Sequence, residues 1–341
     1  MILRPKPSPR HHATLGGAPS SAPMATVPAW LRRAVTDAQS LAGKEVADIA
    51  LVAGAAIGAL DAVVHRHERW AGAWRQRLAL SAAAITAKQA GRVEDESALR
   101  DAVLLTRPGD FSSVGPAGSM LLAWRRMAAR PGDELLTEKN LAAVLEEFGY
   151  AQDEPLVSGL ADDLRQLSAG AGMVGMLTGA FTAAGRYGFA RAFGAWLADA
   201  LLAQRLGWAH AVPLLGGEAA LGSHASRRRG GPALVTATGI EMDGEGTKEL
   251  LAARARAALR AIDLSAELER RADKLLAVAP KLRAKAADAV VERLLFDDAL
   301  VASEKITGMS ERGLRRLFDR LQTLGAVREL TGRPTFRIYG L

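Results

Sequence analysis

The chain has 341 residues, a formal net charge of +7 and no cysteine, which excludes disulfides, thiolate zinc sites, iron–sulfur ligation and a cysteine nucleophile. It is 49% apolar but only 5% aromatic, and with Ala and Leu dominating, packed helices are favoured over sheets. Residues 1–36 hold five Lys or Arg and no acid, residues 250–341 hold 18 cations against 12 acids, and the stretch between is mildly acidic.

Residues 1–36 read as a disordered basic tail: they are rich in Pro, Ser and Arg and lack an apolar core of signal-peptide length. Met24 stands as an alternative start. A helical body is expected over 37–214. It opens with one or two helices between Asp37 and His67, whose apolar side is Val46, Ile49, Ala50, Ala53, Ile57 and Leu60. Gly54 and Gly58 would let another helix approach closely. The apolar stretch Ile49 to Leu60 is too short for a membrane span. His65 and His67, two residues apart, point in opposite directions on a helix and so cannot share a metal ion there.

A second helix is predicted over Ala71 to Gln89, with Trp70 and Trp74 as core anchors. A third begins near Glu94 and ends before Pro108, which cannot continue it. The group Glu94, Asp95, Glu96 and Asp101 could bind a metal or run acid–base chemistry. The same residues fit better as the start of a helix, where acids favour the dipole and pair with Arg92 and Arg100. After the turn-rich loop 107–116, helices are predicted over 117–129, 138–148, 153–168 and 188–206. The uncharged run from Ala169 to Gly185 carries five glycines and reads as buried helix rather than as a span. No phosphate loop, metal cluster or catalytic triad stands out.

Residues 215–246 read as a Gly/Arg-rich linker. A connecting helix over 247–281 follows, basic on part of its surface through Arg254, Arg256, Arg260, Arg270, Arg271 and Lys274. It is either a dimer strut, which makes a homodimer one expected assembly, or the last helix of the body.

The sharpest pattern is a winged helix-turn-helix over 282–341. Ala289, Val290, Leu294 and Leu295 mark its first helix, and Asp298 to Lys305 a short second one. Ser310 can cap a recognition helix whose apolar residues Leu314, Leu317, Phe318, Leu321 and Leu324 form one stripe. Arg312, Arg315, Arg316 and Arg320 lie off that stripe, interrupted only by Asp319, and Gly325 is the expected stop. A hairpin follows, with Val327 and Ile338, and Leu330 and Phe336, as its apolar positions. Its turn, Thr331-Gly-Arg-Pro, carries Arg333 at the tip, with Arg337 on the returning strand. From Lys305 to Leu341 there are eight Lys or Arg against three acids. Cations around a helix that can enter a groove suit phosphate contact. The expected nucleic-acid-binding residues are therefore Ser310, Arg312, Arg315, Arg316, Arg320, Arg333 and Arg337. The alternative is a protein-docking module with an ordinary solvated face.

Four segments carry a family resemblance: Trp70-Ala-Gly-Ala-Trp-Arg-Gln-Arg-Leu-Ala-Leu80, Gly91 to Asp101, Arg107-Pro-Gly-Asp110 with Gly115-Pro-Ala-Gly118, and Leu275 to Lys285. Together they resemble a domain-of-unknown-function family of bacteria, chiefly alphaproteobacteria, over about residues 45–341. The ending Leu324-Gly-Ala-Val-Arg-Glu-Leu-Thr-Gly-Arg333 also resembles the winged helix that closes Fic-type proteins and a second rhizobial family. The His-Pro-Phe motif and Gly-Asn-Gly-Arg anion loop of Fic enzymes are absent, so no adenylyl transfer is implied. The expectation is a mainly α, cytoplasmic, non-catalytic protein with a C-terminal winged helix. It would contact double-stranded DNA, with no cofactor, metal or membrane span; the alternative is an interaction adaptor.

Overall fold

The computed structural model describes residues 27–36, 44–106, 111–218, 244–284, 286–332 and 336–341. Among them are twelve α-helices and one small sheet. The helices of the first part are α1 (Ala29–Thr36), α2 (Val46–Val64), α3 (Ala71–Gln89), α4 (Glu96–Leu104), α5 (Gly115–Ala129), α6 (Glu138–Glu147), α7 (Glu154–Gly170), α8 (Met173–Arg186) and α9 (Arg191–Arg205). The long helix α10 (Gly244–Val278) leads to the C-terminal unit, which runs α11 (Ala287–Phe296), β1 (Leu300–Val301), α12 (Glu311–Thr323), β2 (Arg328–Glu329) and β3 (Ile338–Gly340).

The centre of the body is the pairing of α2 with α10. On α2 the buried residues are Ile49, Val52, Ala53, Ala56, Ile57, Leu60 and Val63, an i, i+3, i+4, i+7 stripe. The facing surface of α10 is dominated by buried alanines, among them Ala253, Ala257, Ala258 and Ala261. Larger side chains of α2 pack against small ones of α10, so packing rather than propensity holds the pair. Gly54 and Gly58, expected to admit a helix, are instead exposed, with nothing within 4 Å of a Cβ there. At 19 residues and a mean hydropathy of 1.9, α2 is long and apolar enough to cross a membrane, a length that the stretch Ile49 to Leu60 underestimates. Its buried stripe is covered by α10 and α1.

Three buried tryptophans tie the remaining layers together, each with its indole N–H satisfied. Trp74 on α3 donates to the Ala261 carbonyl of α10 at 2.9 Å. Trp124 on α5 donates to Thr86 Oγ1 of α3 at 3.1 Å, and Trp196 on α9 to the Ala123 carbonyl of α5 at 3.1 Å. A ring of that size contributes burial energy only if its polar edge is paired, and here every edge bonds a different helix. The anchoring role expected of Trp74 is thus what the structure has.

Several boundaries differ from the sequence reading. The segment assigned to the tail contains α1, whose Leu31 and Val35 are buried against α2 and α10, while residues 1–26 lie outside the described residues. The segment assigned to the linker begins inside the core: Leu215, Gly216 and Glu218 are buried, and residues 219–243 lie outside the described residues. A Cβ on Gly216 would sit 2.3 Å from the Trp124 ring, so only glycine fits. The long helix is a central element of the core, with Arg254 fully buried rather than on its basic surface.

The C-terminal unit carries an antiparallel sheet of order β1-β3-β2. Leu300 pairs with Tyr339 and Val301 with Ile338, while Arg328 pairs with Gly340 and Glu329 with Tyr339. The short helix expected over Asp298 to Lys305 is not formed; β1 occupies its start. Ala299, Val301 and Ile338 make a small core of their own, against which Leu104 and Leu330 pack. Of the apolar positions expected in the hairpin, Leu330 packs on this small core but Phe336 does not face inward. Phe336 has φ 57° and is 63% exposed, since a left-handed residue breaks the strand alternation that would have turned it inward.

Candidate nucleic-acid interface

Helix α12 forms where the sequence reading has it. The Ser310 hydroxyl accepts from the Gly313 amide at 3.1 Å, a cap that satisfies one of the free donors of the first turn and is worth about 1 kcal/mol. Its side chain is therefore engaged in the helix rather than free for a ligand. Leu314, Leu317, Phe318 and Leu321 are buried, with Phe318 stacked on Tyr339 at 4.5 Å between ring centroids. Gly325 ends the helix at φ 65°, where any other residue would be strained. Leu324 is half exposed, at 36%, so the stripe stops one residue short of the expected set.

The opposite face of α12 is open. Arg312, Arg315, Arg316 and Arg320 are all exposed. Arg315 pairs with Glu311 one turn earlier, an exposed contact of the weak kind. Arg312, Arg316 and Arg320 have no ion-pair partner among the described residues. Arg337, just before β3, comes within 3.8 Å of Asp319 and 4.0 Å of Glu329. It thus offsets Asp319, one of the two exposed acids of the helix with Glu311, and joins the hairpin to it electrostatically. The structure brings together Ser310, the four helix arginines and Arg337; Arg333 lies outside the described residues.

The junction with the body uses different cations. Arg125 on α5 pairs with Asp298 at 2.6 Å, where Asp298 is 2% exposed. Arg77 on α3 donates to the Asp298 carbonyl at 3.3 Å, and Arg271 on α10 to the Leu341 carbonyl at 2.9 Å. Burial lowers the pKa of the Arg77 guanidinium, with Asp298 acting against it and Arg100 and Arg271 adding to it. Beside this junction lies a cleft of about 1270 Å³ whose arginines are already committed: Arg126 to Glu147, Arg293 to Asp297 and Glu304. Sequence periodicity gave no sign of the contacts at Asp298 and Leu341, which join residues 70 to 221 positions apart.

The two other clusters have structural explanations. Asp95 caps α4, accepting from the Ala98 amide and the Ser97 hydroxyl at 2.8 Å each, and these bonds hold its carboxyl below the usual range. Arg100 turns away from the acids, towards the Leu330 carbonyl at 3.5 Å. His65 and His67 lie beyond the end of α2, with ring centroids 6.3 Å apart, and His65 Nδ1 sits 2.9 Å from the Asp61 carbonyl oxygen. The helical geometry assumed for that pair is therefore not the one adopted.

These features define a helical protein closed by a small antiparallel sheet. Over residues 19–341 the chain matches the family described as "Protein of unknown function (DUF1403)", and it belongs to that family. No curated protein matches it.

Proposed function

We propose that residues 282–341 form a winged helix-turn-helix that contacts duplex DNA, with α12 in the major groove and the β2–β3 hairpin alongside. The protein would then be a non-catalytic DNA-binding or regulatory protein of the bacterial cytoplasm. The observation that carries this reading is the two-sidedness of α12. One face is sealed by Leu314, Leu317, Phe318 and Leu321, and the other holds four exposed arginines. The order of elements supports it: a helix, a strand, a capped helix and a hairpin whose last strand lies between the other two. A recognition helix folded against the body would instead favour protein docking, and α12 leaves its basic face uncovered.

The test is binding of the full chain to random-sequence duplex over a range of salt. Log affinity should fall linearly with log salt, by about 0.9 for each phosphate neutralised. Replacing Arg312, Arg315 and Arg316 together by Ala should abolish retention at moderate salt while leaving helical content and melting temperature nearly unchanged, because all three side chains are exposed. Equal affinity and equal salt slope in parent and triple variant would show that α12 is not the contact.

A further inference from the structure

We infer that the turn between α10 and α11 supplies a second phosphate-contacting set, Lys281 and Arg283, which holds duplex DNA on the body's side of α12. This rests on the DNA-contacting role proposed for α12. Residues 274–287 contain four Lys or Arg and no Asp or Glu. Within that run Leu282 is half-buried against the core, while Lys281 and Arg283 on either side of it are exposed. Neither has an ion-pair partner among the described residues. Several arginines of the body are instead committed, Arg32 to Asp263, Arg66 to Glu269, Arg186 to Asp163 and Arg256 to Glu218. Arg69 and Arg92 are exposed without an ion pair among the described residues, but they lie on the body, away from the loop that leads into α12. A cation without a partner loses nothing when it moves onto a phosphate, whereas a paired one must first give up its carboxylate.

Position supports the same conclusion. Ala286 takes a left-handed backbone, φ 62°, and this turns the chain back onto the loop that precedes α12. A Cβ on Gly308 would lie 3.6 Å from that of Ala286, two residues before the Ser310 cap. Arg283 is three residues from that contact and Arg312 four residues on its other side, so their backbones are at most about 31 Å apart, counting roughly 3.5 Å per residue and the two Cα–Cβ bonds at the contact. That is less than one turn of duplex, roughly 34 Å, and the two sets can reach phosphates of a single binding site. The α10–α11 turn thus lies against the loop at Gly308 that leads into α12.

The experiment is a salt titration of the full chain on random-sequence duplex, comparing the parent with Lys281→Ala/Arg283→Ala and with a control, Arg69→Ala/Arg92→Ala, that removes two exposed cations of the body. The first variant should flatten the salt slope by about 1.8, two contacts at about 0.9 each. Between 50 and 200 mM salt, its affinity should then fall about 12-fold less than the parent's. Its melting temperature should match the parent's and the control should leave the slope unchanged. A parental slope in the first variant, or equal flattening in the control, overturns the inference. If Arg312→Ala/Arg315→Ala/Arg316→Ala weakens binding while Lys281→Ala/Arg283→Ala does not, this inference alone fails. If the parent does not bind duplex at all, both it and the role of α12 fail.

Discussion

Replacing Arg254 by Met is expected to destabilise the fold by about 3–5 kcal/mol, the usual consequence of breaking a buried ion pair from one side. Arg254 on α10 and Asp199 on α9 are paired with neither side chain exposed. The other carboxylate oxygen of Asp199 accepts from the amides of Leu214 and Leu215 at 2.7 and 2.9 Å. The pair therefore fixes three elements at once: both helices and the turn that carries Gly216. Burial raises the Asp199 pKa, and Arg254 and the two amides act against it. Burial likewise lowers that of Arg254 against the pull of Asp199.

Without the guanidinium, the carboxyl pKa moves further upward, because desolvation loses its strongest opponent. The folded variant then binds a proton that the unfolded chain releases above about pH 4. Stability is thus retained below the unfolded pKa and lost as pH rises through the folded one. Urea unfolding at several pH values should show a deficit that narrows on acidification at constant denaturant slope. Asp199→Asn/Arg254→Met should cost less than the sum of its single changes, since the partners share one interaction. A loss below about 1 kcal/mol in Arg254→Met would mean that the pair is dispensable, as buried pairs sometimes are when their partners are replaced together.

That pair also shows where the sequence stops being legible. Arg254, Arg256 and Arg260 look alike in a helical pattern, yet Arg254 is wholly buried and Arg260 half exposed. Each pairs with a distant carboxylate, Arg254 with Asp199 55 positions away and the other two with Glu218, and no local periodicity encodes which of the three is buried. Helices α3 and α12 were legible for different reasons: α3 is a long Ala-rich stretch with the Trp70 and Trp74 anchors at its start, and α12 carries an apolar period of 3.6 with a serine cap and a glycine stop. Helix α8 was read only as part of the uncharged, glycine-containing buried-helix run from Ala169 to Gly185, with no bounds of its own, and Gly175, Gly179 and Gly185 lie within it. Residues 298–305 failed for a different reason. Their alanines suit a helix, but Leu300 and Val301 pair with β3 and Asp298 is held by Arg125, and tertiary contacts override a weak propensity. The basic stretch of α12 was readable from sequence alone; the approach of the α10–α11 turn to the loop before α12, at Ala286 and Gly308, was not.

The second large effect is expected where the C-terminal unit meets the body. Gly72 lies in the first turn of α3, and a Cβ there would come within 2.7 Å of the Phe296 carbonyl oxygen, 2.8 Å of its Cα and 2.8 Å of its Cδ2. Two of those three atoms are backbone, so a new rotamer cannot clear the space. Gly72→Ala should cost about 1–3 kcal/mol, the usual range for overpacking, and Phe296→Ala should not rescue it. Had the clash been with the ring alone, the double variant would recover. Because Phe296 ends α11 and Asp298 follows two residues later, the strain bears directly on the Asp298–Arg125 pair. Asp298→Asn combined with Gly72→Ala should therefore be non-additive, with a coupling of about 0.5–3 kcal/mol. Denaturant midpoints would measure it, and limited proteolysis across residues 279–286 would report loosening of α11 from α3. Parental stability in Gly72→Ala, or recovery in Gly72→Ala/Phe296→Ala, would show that α11 does not rest on α3 through these backbone atoms.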